Sequence, residues 1–507
     1  MRKKLLLAAL LPAIPAAISL TTASAPAAAD SCASLSGLSL SHAKIDSAQN
    51  IPAGNFSIPP ARPGGRNQTY KDLPAFCRVA ATLTPTPDSN IKIEVWMPAA
   101  NWNGKFQAVG NGGWAGTISY EAMAKALRNG YGTTSTDTGH TVGNGSFVEG
   151  HREKLIDFLY RSEHEMTVQA KAIVAGYYGS APKRSYWNGC STGGRQGLME
   201  ATRYPSDFDG IVAGDPANPR SVHDSWDLSV TVAIHKDPAA VIPNEKFSTI
   251  HKAVIAACDK LDGVEDGLVT NPKACHFDVA ALTCKGADNA SCLTPAQVQS
   301  AKRLMSPAKA DGVNFYPGLL PTSELGWGAL AGPDANPRGA DNFKYVIYKD
   351  AKWDWHSFDA DKDLAAAKKA DELESVTTAD LSAFTRHNGK IVFYHGWSDP
   401  QISPQGGIDY FEAVQKQTRN ASSSTRLFMV PGMGHCRGGE GATDDFDAVA
   451  SLDHWIETGE APERISAAHM TGGKPVRTRP LCAYPQVARY KGTGSTDDEA
   501  NFVCTAP

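Results

Sequence analysis

The chain has 507 residues, 42% of them hydrophobic, and a formal net charge of −4. This length allows one large domain with an insertion, or two to three domains. Because no block rich in Lys or Arg follows the first four residues, neither composition nor charge indicates a protein that binds nucleic acid.

The N-terminus, residues 1–29, is typical of an export signal peptide. Basic residues at positions 2–4 precede the apolar run LLLAALLPAIPAAISL, and ASA and AAA are candidate cleavage sites. The run is short and two prolines interrupt it, so we expect no membrane anchor. The mature protein is predicted to start near Asp30 and to be secreted or periplasmic.

Predicted strands and helices alternate along the first half of the mature chain, after a segment at residues 30–75 that is rich in Ser, Ala, Pro and Gly and is expected to be mostly irregular. In order, the pattern predicts a strand in IKIEVWMP, a strand and turn in GKFQAVGNGGWAG, a helix and strand in EAMAKALRNGYGTTSTDTGH, a helix in SEHEMTVQAKAIVAGYYG, a strand in RSYWNGCS, a helix in GRQGLMEATRYP and a strand in FDGIVAGDPA. This alternation predicts an α/β protein with a mostly parallel sheet and helices on both faces.

The alternation lapses between residues 218 and 380, which we interpret as an inserted domain. It resumes with GKIVFYHGWSDP, GGIDYFEAVQKQT and TRLFMVPGMGHC. The pattern at residues 444–459 predicts a helix that begins with acidic residues, whose negative charges are favourable at a helix N-terminus. The core domain is therefore expected to comprise residues 30–217 and 381–507.

Ten cysteines remain after the predicted signal peptide. Since exported proteins fold in an oxidising compartment, disulfides are expected, and several cysteines are close enough in sequence to pair locally. Zinc binding is the alternative, but the sequence has no C-x-x-C pair or Cys/His cluster with the spacing of a zinc site. Cys190 stands directly before a serine that is a candidate nucleophile.

That serine lies in Gly-Cys-Ser-Thr-Gly, residues 189–193, which matches G-x-S-x-G between a predicted strand and a predicted helix. In this context the pattern is typical of a nucleophile elbow, whose tight turn exposes the serine oxygen at the end of the sheet. An ordinary glycine turn is the alternative. We predict Ser191 as the nucleophile.

Asp399 and His435 follow Ser191 in the chain order of serine hydrolases built on α/β sheets. Each ends a predicted strand, where such sheets place their sites. His435 is predicted to take the serine proton, and Asp399 to orient the imidazole and stabilise its charged form. A turn aspartate and a surface histidine are the alternatives.

An oxyanion hole needs two backbone N–H groups. One is predicted from Thr192, directly after the nucleophile, and the other from Gly112 or Gly113 in the turn GNGG. Small residues in such a turn allow the backbone to approach a substrate, although a plain loop is the alternative.

A second group of polar residues lies in CDKLDGVEDGLV, residues 258–269. Asp259, Asp262 and Asp266 would supply hard oxygen ligands in a turning loop, which suits calcium. The spacing is not that of an EF-hand. From spacing alone, a solvated acidic turn is an equal alternative.

The chain resembles the tannase/feruloyl esterase family of α/β-hydrolases, which also contains mono(2-hydroxyethyl) terephthalate hydrolase. The matching stretches are GNGGWAG, GCSTGGRQGLMEATRYPSDFDGIVAGDPA, CDKLDGVEDGLV, GWSDPQISP, VPGMGHC and YPQVARYKGTGSTDDEANFVC. The resemblance implies an α/β-hydrolase catalytic domain with a large inserted lid. It also implies a serine esterase whose substrates are small aromatic esters, such as feruloyl or galloyl esters derived from plant polymers.

At the level of residues, the resemblance implies Ser191, Asp399 and His435 as the triad. It implies no organic cofactor but a structural calcium, with ligands from Asp259, Asp262, Asp266 and the backbone oxygens of Val264 and Leu268. It also implies five disulfides: Cys190–Cys436, Cys32–Cys77, Cys258–Cys275, Cys284–Cys292 and Cys482–Cys504.

The lid aromatics Trp327, Phe343, Tyr345 and Tyr348 are candidates for the substrate pocket, because flat rings stack on an aryl acyl group. Packing inside the lid is the alternative for each of them. Ile402 is predicted to line the acyl site, since its loop carries the triad aspartate. The sequence assigns no cationic residue to a second carboxylate on the substrate.

Three other functions remain as alternatives. One is a terephthalate monoester hydrolase of the same family, and another is a general exported carboxylesterase or peptidase. The third is a calcium-dependent binding protein with an inactive hydrolase fold, which would lack a triad residue, whereas this sequence has all three.

Overall fold

The computed structural model describes residues 32–58 and 68–507. The signal peptide predicted for residues 1–29 lies outside the described residues. Within them, no helix combines the length and apolar character needed to cross a bilayer.

Strands are distributed along the whole described chain. They are β1 (Ala43–Ile51), β2 (Phe56–Ile58), β3 (Gln68–Tyr70), β4 (Phe76–Leu83), β5 (Ile91–Pro98), β6 (Lys105–Val109), β7 (Gly132–Thr136), β8 (Arg184–Cys190), β9 (Gly210–Gly214), β10 (Ala308–Ala310), β11 (Val313–Tyr316), β12 (Lys390–Gly396), β13 (Thr425–Val430), β14 (Asp445–Phe446), β15 (Arg464–Thr471), β16 (Lys474–Cys482), β17 (Val487–Tyr490) and β18 (Phe502–Thr505).

The α-helices connect these strands and build most of the insertion. They are α1 (Tyr120–Arg128), α2 (Arg152–Ile156), α3 (Ser162–Tyr178), α4 (Thr192–Arg203), α5 (Arg220–His235), α6 (Asn244–Cys258), α7 (Pro295–Met305), α8 (Gly328–Ala331), α9 (Ala360–Glu374), α10 (Ser382–Arg386), α11 (Pro404–Gln417) and α12 (Ala448–Thr458).

Nine strands form one sheet in the order β1-β4-β5-β7-β6-β8-β9-β12-β13. The six strands from β7 to β13 in this order are parallel, whereas β1, β4, β5 and β7 pair antiparallel. The prediction of an α/β protein with a mostly parallel sheet is therefore confirmed. Because parallel strands end at a common edge, the loops after β6, β8, β9, β12 and β13 meet there.

Alternate side chains of the central strands face two different hydrophobic clusters. Ile211 and Phe393 pack with residues of α3, α4 and α11 on one face. Their neighbours Val212 and Val392 pack with residues of α12 on the other face. This period of two follows from strand geometry, and helices on both faces explain why the central strands are apolar throughout.

The expectation of a mostly irregular segment at residues 30–75 is wrong for its middle part. β1 spans nine residues and pairs with β4 from Ala43 opposite Leu83 to Ile51 opposite Phe76. β1 is an edge strand with part-buried and exposed side chains, and such a position tolerates polar residues. Because its composition is polar, β1 could not be predicted from the sequence pattern.

The chain between β9 and β12 has a hydrophobic core of its own. This core draws only on residues between Val222 and Leu364, and β10 and β11 form a separate two-stranded sheet beside it. The segment is thus an insertion between two neighbouring strands of the central sheet. The boundaries at residues 218 and 380 stay a prediction.

The predicted acid-headed helix at residues 444–459 begins later than expected, at Ala448. Asp447 precedes it, and its carboxylate accepts a hydrogen bond from the backbone N–H of Ala450 at 2.9 Å. Asp445 belongs to the short strand β14 instead. A single capping aspartate, rather than a run of acids, therefore starts the helix.

Five disulfides link the chain, in the pairing that the resemblance implied. No cysteine in the described part of the chain is free. Cys32–Cys77 joins the N-terminal segment to β4, and Cys482–Cys504 joins β16 to β18.

Candidate active site

Ser191 occupies a sharp turn between β8 and α4. Its backbone has φ 63° and ψ −121°, a left-handed conformation that non-glycine residues rarely adopt. A Cβ on Gly189 would lie 2.5 Å from the carbonyl oxygen of Gly193, so the turn closes only with glycine at that position. This strand–turn–helix geometry is that of a nucleophile elbow.

His435 and Asp399 contact each other at the ends of β13 and β12. The Nδ1 of His435 lies 2.8 Å from the Oδ2 of Asp399. The other oxygen, Oδ1, accepts the backbone N–H groups of Gln401 and Ile402 at 2.7 and 3.1 Å. Asp399 is fully buried, so these bonds hold its carboxylate in one orientation.

The electrostatics of this pair favour a charged aspartate and a basic imidazole. Burial by itself would raise the pKa of Asp399, but the charge of His435 and hydrogen bonds from two imidazoles lower it well below its usual range. Burial likewise opposes protonation of His435, yet the Asp399 carboxylate raises the pKa of that imidazole overall. The pair therefore suits a proton-accepting histidine.

A second imidazole, His395, lies behind the pair and was missed by sequence reasoning. Its Nε2 is 3.3 Å from the Oδ2 of Asp399 and 3.7 Å from the Oδ1 of Asp215. Burial raises the pKa of Asp215; the charge of His395 opposes that shift, and the nearby Asp399 adds to it. His395 thus approaches the same oxygen of the Asp399 carboxylate as His435 does. Its position four residues before Asp399 in GKIVFYHGWSDP was the available signal.

The proposed oxyanion turn packs directly on the nucleophile turn. The N–H of Gly193 donates to the carbonyl oxygen of Asn111 at 2.8 Å, and the Thr192 hydroxyl donates to the carbonyl oxygen of Gly113 at 2.7 Å. Gly112, Gly113 and Thr192 all border the cleft that contains Ser191. The segments expected to supply oxyanion donors are therefore adjacent to Ser191.

The Cys190–Cys436 disulfide joins the serine turn to the histidine turn, with a Cα–Cα distance of 5.9 Å. Its two cysteines are the direct neighbours of Ser191 and His435 in the sequence. Since the two turns follow different strands, this bond restrains their relative position covalently.

The cleft at this edge of the sheet has a volume of about 1190 Å³. The serine, histidine and glycine turns form its floor, and residues of the insertion, including Arg220 and Arg338, form part of its wall. Ile402 borders the cleft, and its place in an acyl site stays a prediction. A volume of this size accommodates an aromatic ester.

The structure does not bring the predicted lid aromatics to the cleft. Trp327 is fully buried in the core of the insertion, where its indole N–H donates to the Ser323 hydroxyl at 3.0 Å. Phe343 is fully buried against Phe358, with ring centroids 5.1 Å apart. Assigning these two residues to the substrate was wrong, because large rings gain more free energy from complete burial in the insertion.

Tyr345 and Tyr348 are also absent from the cleft lining among the described residues. Trp114 and Arg220 border the cleft instead. Trp114 directly follows the glycine turn, and this position was a usable signal. Arg220 comes from the start of α5, and nothing in the local sequence distinguishes it.

The acidic loop at residues 258–269 contains the donor types that calcium prefers, but its three carboxylates already have local partners. Asp259 accepts the N–H of Gly267, and Asp262 accepts the Thr270 hydroxyl at 2.6 Å. The third carboxylate, Asp266, forms an ion pair with Arg479. Burial raises the pKa of Asp262, and the two neighbouring aspartates add to this shift.

Three groups of potential metal ligands converge within the described residues, and this loop is not among them. Two of those groups contain the bonded cysteine pairs Cys190–Cys436 and Cys284–Cys292, whose sulfurs are in disulfides. The third is Asp215, His395 and Asp399 behind the triad. The acidic loop therefore contains the oxygen ligands that calcium prefers, and its carboxylates repel one another in the absence of a cation. These carboxylates do not already form a metal-binding cage.

Comparison with known proteins gives consistent matches over nearly the whole chain. A family model described as tannase and feruloyl esterase matches residues 77–505. An uncharacterised esterase of Xanthomonas campestris is 39% identical, over 96% of this chain and 92% of its own. Mono(2-hydroxyethyl) terephthalate hydrolase of Piscinibacter sakaiensis is 35% identical, over 86% of this chain and 85% of its own.

A solved structure shares the same fold. The crystal structure of feruloyl esterase B from Aspergillus oryzae matches with a TM-score of 0.87 and 30% sequence identity. The match covers 94% of this chain and 100% of that chain.

Proposed function

The chain belongs to the tannase and feruloyl esterase family of carboxylic ester hydrolases, and from this premise we propose that it is an exported serine esterase acting on esters of aromatic carboxylic acids. One observation carries the proposal. Ser191 stands on a nucleophile elbow and shares a single cleft with His435, whose Nδ1 is hydrogen-bonded to Asp399.

In the proposed mechanism, His435 accepts the hydroxyl proton of Ser191 as the serine oxygen attacks the ester carbonyl, and Asp399 stabilises the imidazolium. The bond to the alcohol breaks as His435 passes the proton to the leaving oxygen, which leaves an acyl-enzyme. Water, deprotonated by His435, then attacks the acyl carbonyl. The bond to Ser191 breaks as His435 returns the proton to the serine oxygen, which releases the acid and restores the free enzyme. Backbone donors near Gly112, Gly113 and the start of α4 stabilise each oxyanion.

The enzyme is expected to prefer aryl or cinnamoyl esters over acetyl and long aliphatic esters, by about 10-fold or more in kcat/KM. The physical reason is aromatic contact on the acyl side, where the part-buried indole of Trp114 borders the cleft. Relatives named feruloyl esterase and terephthalate monoester hydrolase support the same substrate class. Steady-state kinetics on feruloyl, galloyl, terephthaloyl, acetyl and decanoyl esters measure the preference.

A kcat/KM on the acetyl or decanoyl ester that equals the value on every aromatic ester would contradict the aryl preference. A protein that cleaves none of these esters, although folded, would contradict the proposed activity as a whole. The two failures are therefore distinguishable in one set of measurements.

We also propose that the acidic loop binds a structural calcium through Asp259, Asp262 and Asp266, with backbone oxygens of Val264 and Leu268. Burial, and then the charges of the two neighbouring aspartates, raise the pKa of Asp262, and a cation would relieve the repulsion among the three carboxylates. Its role would be to tie the end of α6 to the loop that follows. It would not take part in the reaction.

Chelation of calcium is expected to lower the Tm by about 5 °C, because an ion that binds only the folded state stabilises it. Differential scanning calorimetry with and without a chelator measures the shift, and elemental analysis measures bound calcium. The Asp262→Asn variant should melt earlier than the wild type and should lose the response to the chelator. A Tm that the chelator leaves unchanged, in a protein that contains no calcium, would contradict the proposed calcium site.

Export is proposed from the signal-like N-terminus together with the five disulfides. Such a number of disulfides is typical of proteins that fold in an oxidising compartment.

A further inference from the structure

The oxyanion turn, residues 110–113, has little support from its own glycines. Gly112 and Gly113 have no side chains to pack, and a Cβ built on either would meet no atom within 4 Å. Gly113 also has φ 54°, in the left-handed region. Because glycine loses more conformational freedom on folding than any other residue, the position of this turn depends on contacts made by the residues beside it.

Asn111, directly before these glycines, is bonded at every polar group that it has. Its side-chain nitrogen donates to the carbonyl oxygens of Thr117 and Thr136 at 3.1 and 2.8 Å. Its own carbonyl oxygen accepts the N–H of Gly193 at 2.8 Å. The two remaining groups, its backbone N–H and its side-chain oxygen, both bond to Gln196. Asn111 is 5% exposed, so losing a partner would leave a buried polar group unpaired.

Gln196 meets these two groups with opposite ends of one carboxamide. Its Oε1 accepts the backbone N–H of Asn111 at 3.0 Å, and its Nε2 donates to the Oδ1 of Asn111 at 3.2 Å. The same Nε2 donates to the carboxylate of Glu163 in α3. A backbone N–H can only donate, which fixes the end of the carboxamide that is oxygen. Only Asn and Gln side chains combine such an acceptor with a donor that has two hydrogens.

Gln196 links the oxyanion turn to the helix that begins at the nucleophile. It is fully buried in α4, and Ser191 is the N-cap residue of this helix. The contact is close, since a Cβ on Gly110 would lie 3.1 Å from the Oε1 of Gln196. One helix therefore carries the nucleophile at its start and the clamp on the oxyanion turn within its second turn.

We propose that Gln196 is a positioning residue of the oxyanion hole, an inference that rests on the proposed esterase function. Its carboxamide holds Asn111, and through Asn111 it sets the distance of the Gly112 and Gly113 N–H groups from Ser191. Gln196 is not among the described residues that border the cleft, so it acts without touching the substrate. Its effect falls on the step in which charge develops on the carbonyl oxygen, and binding of the intact ester depends on it little.

The test replaces Gln196 by methionine, which is similar in length but makes neither bond to Asn111. On an aryl ester that the wild type cleaves, kcat should fall by about 10- to 100-fold. Phenylboronic acid forms a negatively charged tetrahedral adduct with a serine oxygen, so its inhibition constant should rise by a similar factor. The inhibition constant of benzamide, a planar analogue of the ground state, should change by less than about 3-fold.

Gln297→Met is the matched control. Gln297 lies in α7 of the insertion and is 4% exposed. Its carboxamide also has three partners: it accepts from the Thr294 N–H and the Lys246 ammonium, and it donates to the carbonyl oxygen of Val241. This variant should melt earlier than the wild type while kcat and both inhibition constants stay unchanged. It therefore separates a loss of stability from a loss of positioning.

An unchanged kcat in folded Gln196→Met would overturn the inference. A lower kcat with unchanged affinity for phenylboronic acid would overturn it too, since the oxyanion hole would then be intact. The same conclusion would follow from an equal loss of kcat in Gln297→Met, or from wild-type enzyme that binds phenylboronic acid no more tightly than benzamide.

If Gln196→Met does not fold, the double variant Gln196→Glu, Glu163→Gln decides. Its two exchanged side chains still bond each other, but the Oδ1 of Asn111 then faces a carboxylate oxygen instead of a donor. Its kcat should fall by about 10-fold, and an unchanged kcat would overturn the inference. Wild-type enzyme that cleaves no ester would contradict the proposed function itself.

Discussion

Replacing Ser191 by alanine is expected to lower kcat by about 10⁴-fold or more while leaving the fold intact. Without the serine oxygen no acyl-enzyme forms, so the reaction loses its two-step route. A residual rate above that in water is expected, because the backbone donors near Gly113 and Thr192 are unaffected. Turnover of a feruloyl or galloyl ester, together with thermal melting of the variant, measures both parts of the expectation.

The double variant Ser191→Ala, His435→Ala is the matched control. Residues that act as one unit are not additive, so the second change should cost little beyond the first. Retention of even a tenth of wild-type turnover by Ser191→Ala would show that another group is the nucleophile. A multiplicative loss in the double variant would show that His435 does not act through Ser191.

The second large effect is expected from removing the disulfide beside the triad, in the double variant Cys190→Ala, Cys436→Ala. The two cysteines are 246 residues apart, so the chain-entropy model gives a stabilisation of about 5 kcal/mol as an upper estimate. Activity should fall more steeply than stability. The reason is that a misplacement of about 1 Å between the serine and histidine turns can cost about 100-fold in rate. Kinetics and calorimetry on the same preparations measure both losses.

The disulfide Cys284–Cys292 offers a matched control, since it closes a sequence separation of 8 residues within the insertion. Its removal should cost about 2 to 3 kcal/mol of stability and leave kcat unchanged. Mass spectrometry of a non-reduced digest should find the peptide pair that contains Cys190 and Cys436. Alkylation of Cys190 in native, unreduced enzyme would contradict the proposed role of this disulfide. Equal effects of the two double variants on kcat would contradict it too.

The insertion shows why the substrate wall was hard to predict. Trp327 and Phe343 have the residue type expected of an acyl pocket, yet both are fully buried inside the insertion, in two separate hydrophobic clusters. Burial depends on which helices pack together, and no local pattern distinguishes a ring on a cleft from a ring in a core. The edge strand β1 was missed for a related reason. Its polar composition gives no clear strand pattern, and its extended conformation depends on pairing with β4.

Features that depend on short stretches of chain could be predicted without a structure. Alternating strands and helices, the glycines around Ser191 and the strand-end positions of Asp399 and His435 are all local, and parallel strands bring their ends together by geometry. Contacts between segments distant in the sequence were settled by tertiary packing alone: His395 lies beside Asp215, and Arg220 stacks on Trp114. Each contact joins segments that belong to or follow different strands, so it exists only after those segments have packed.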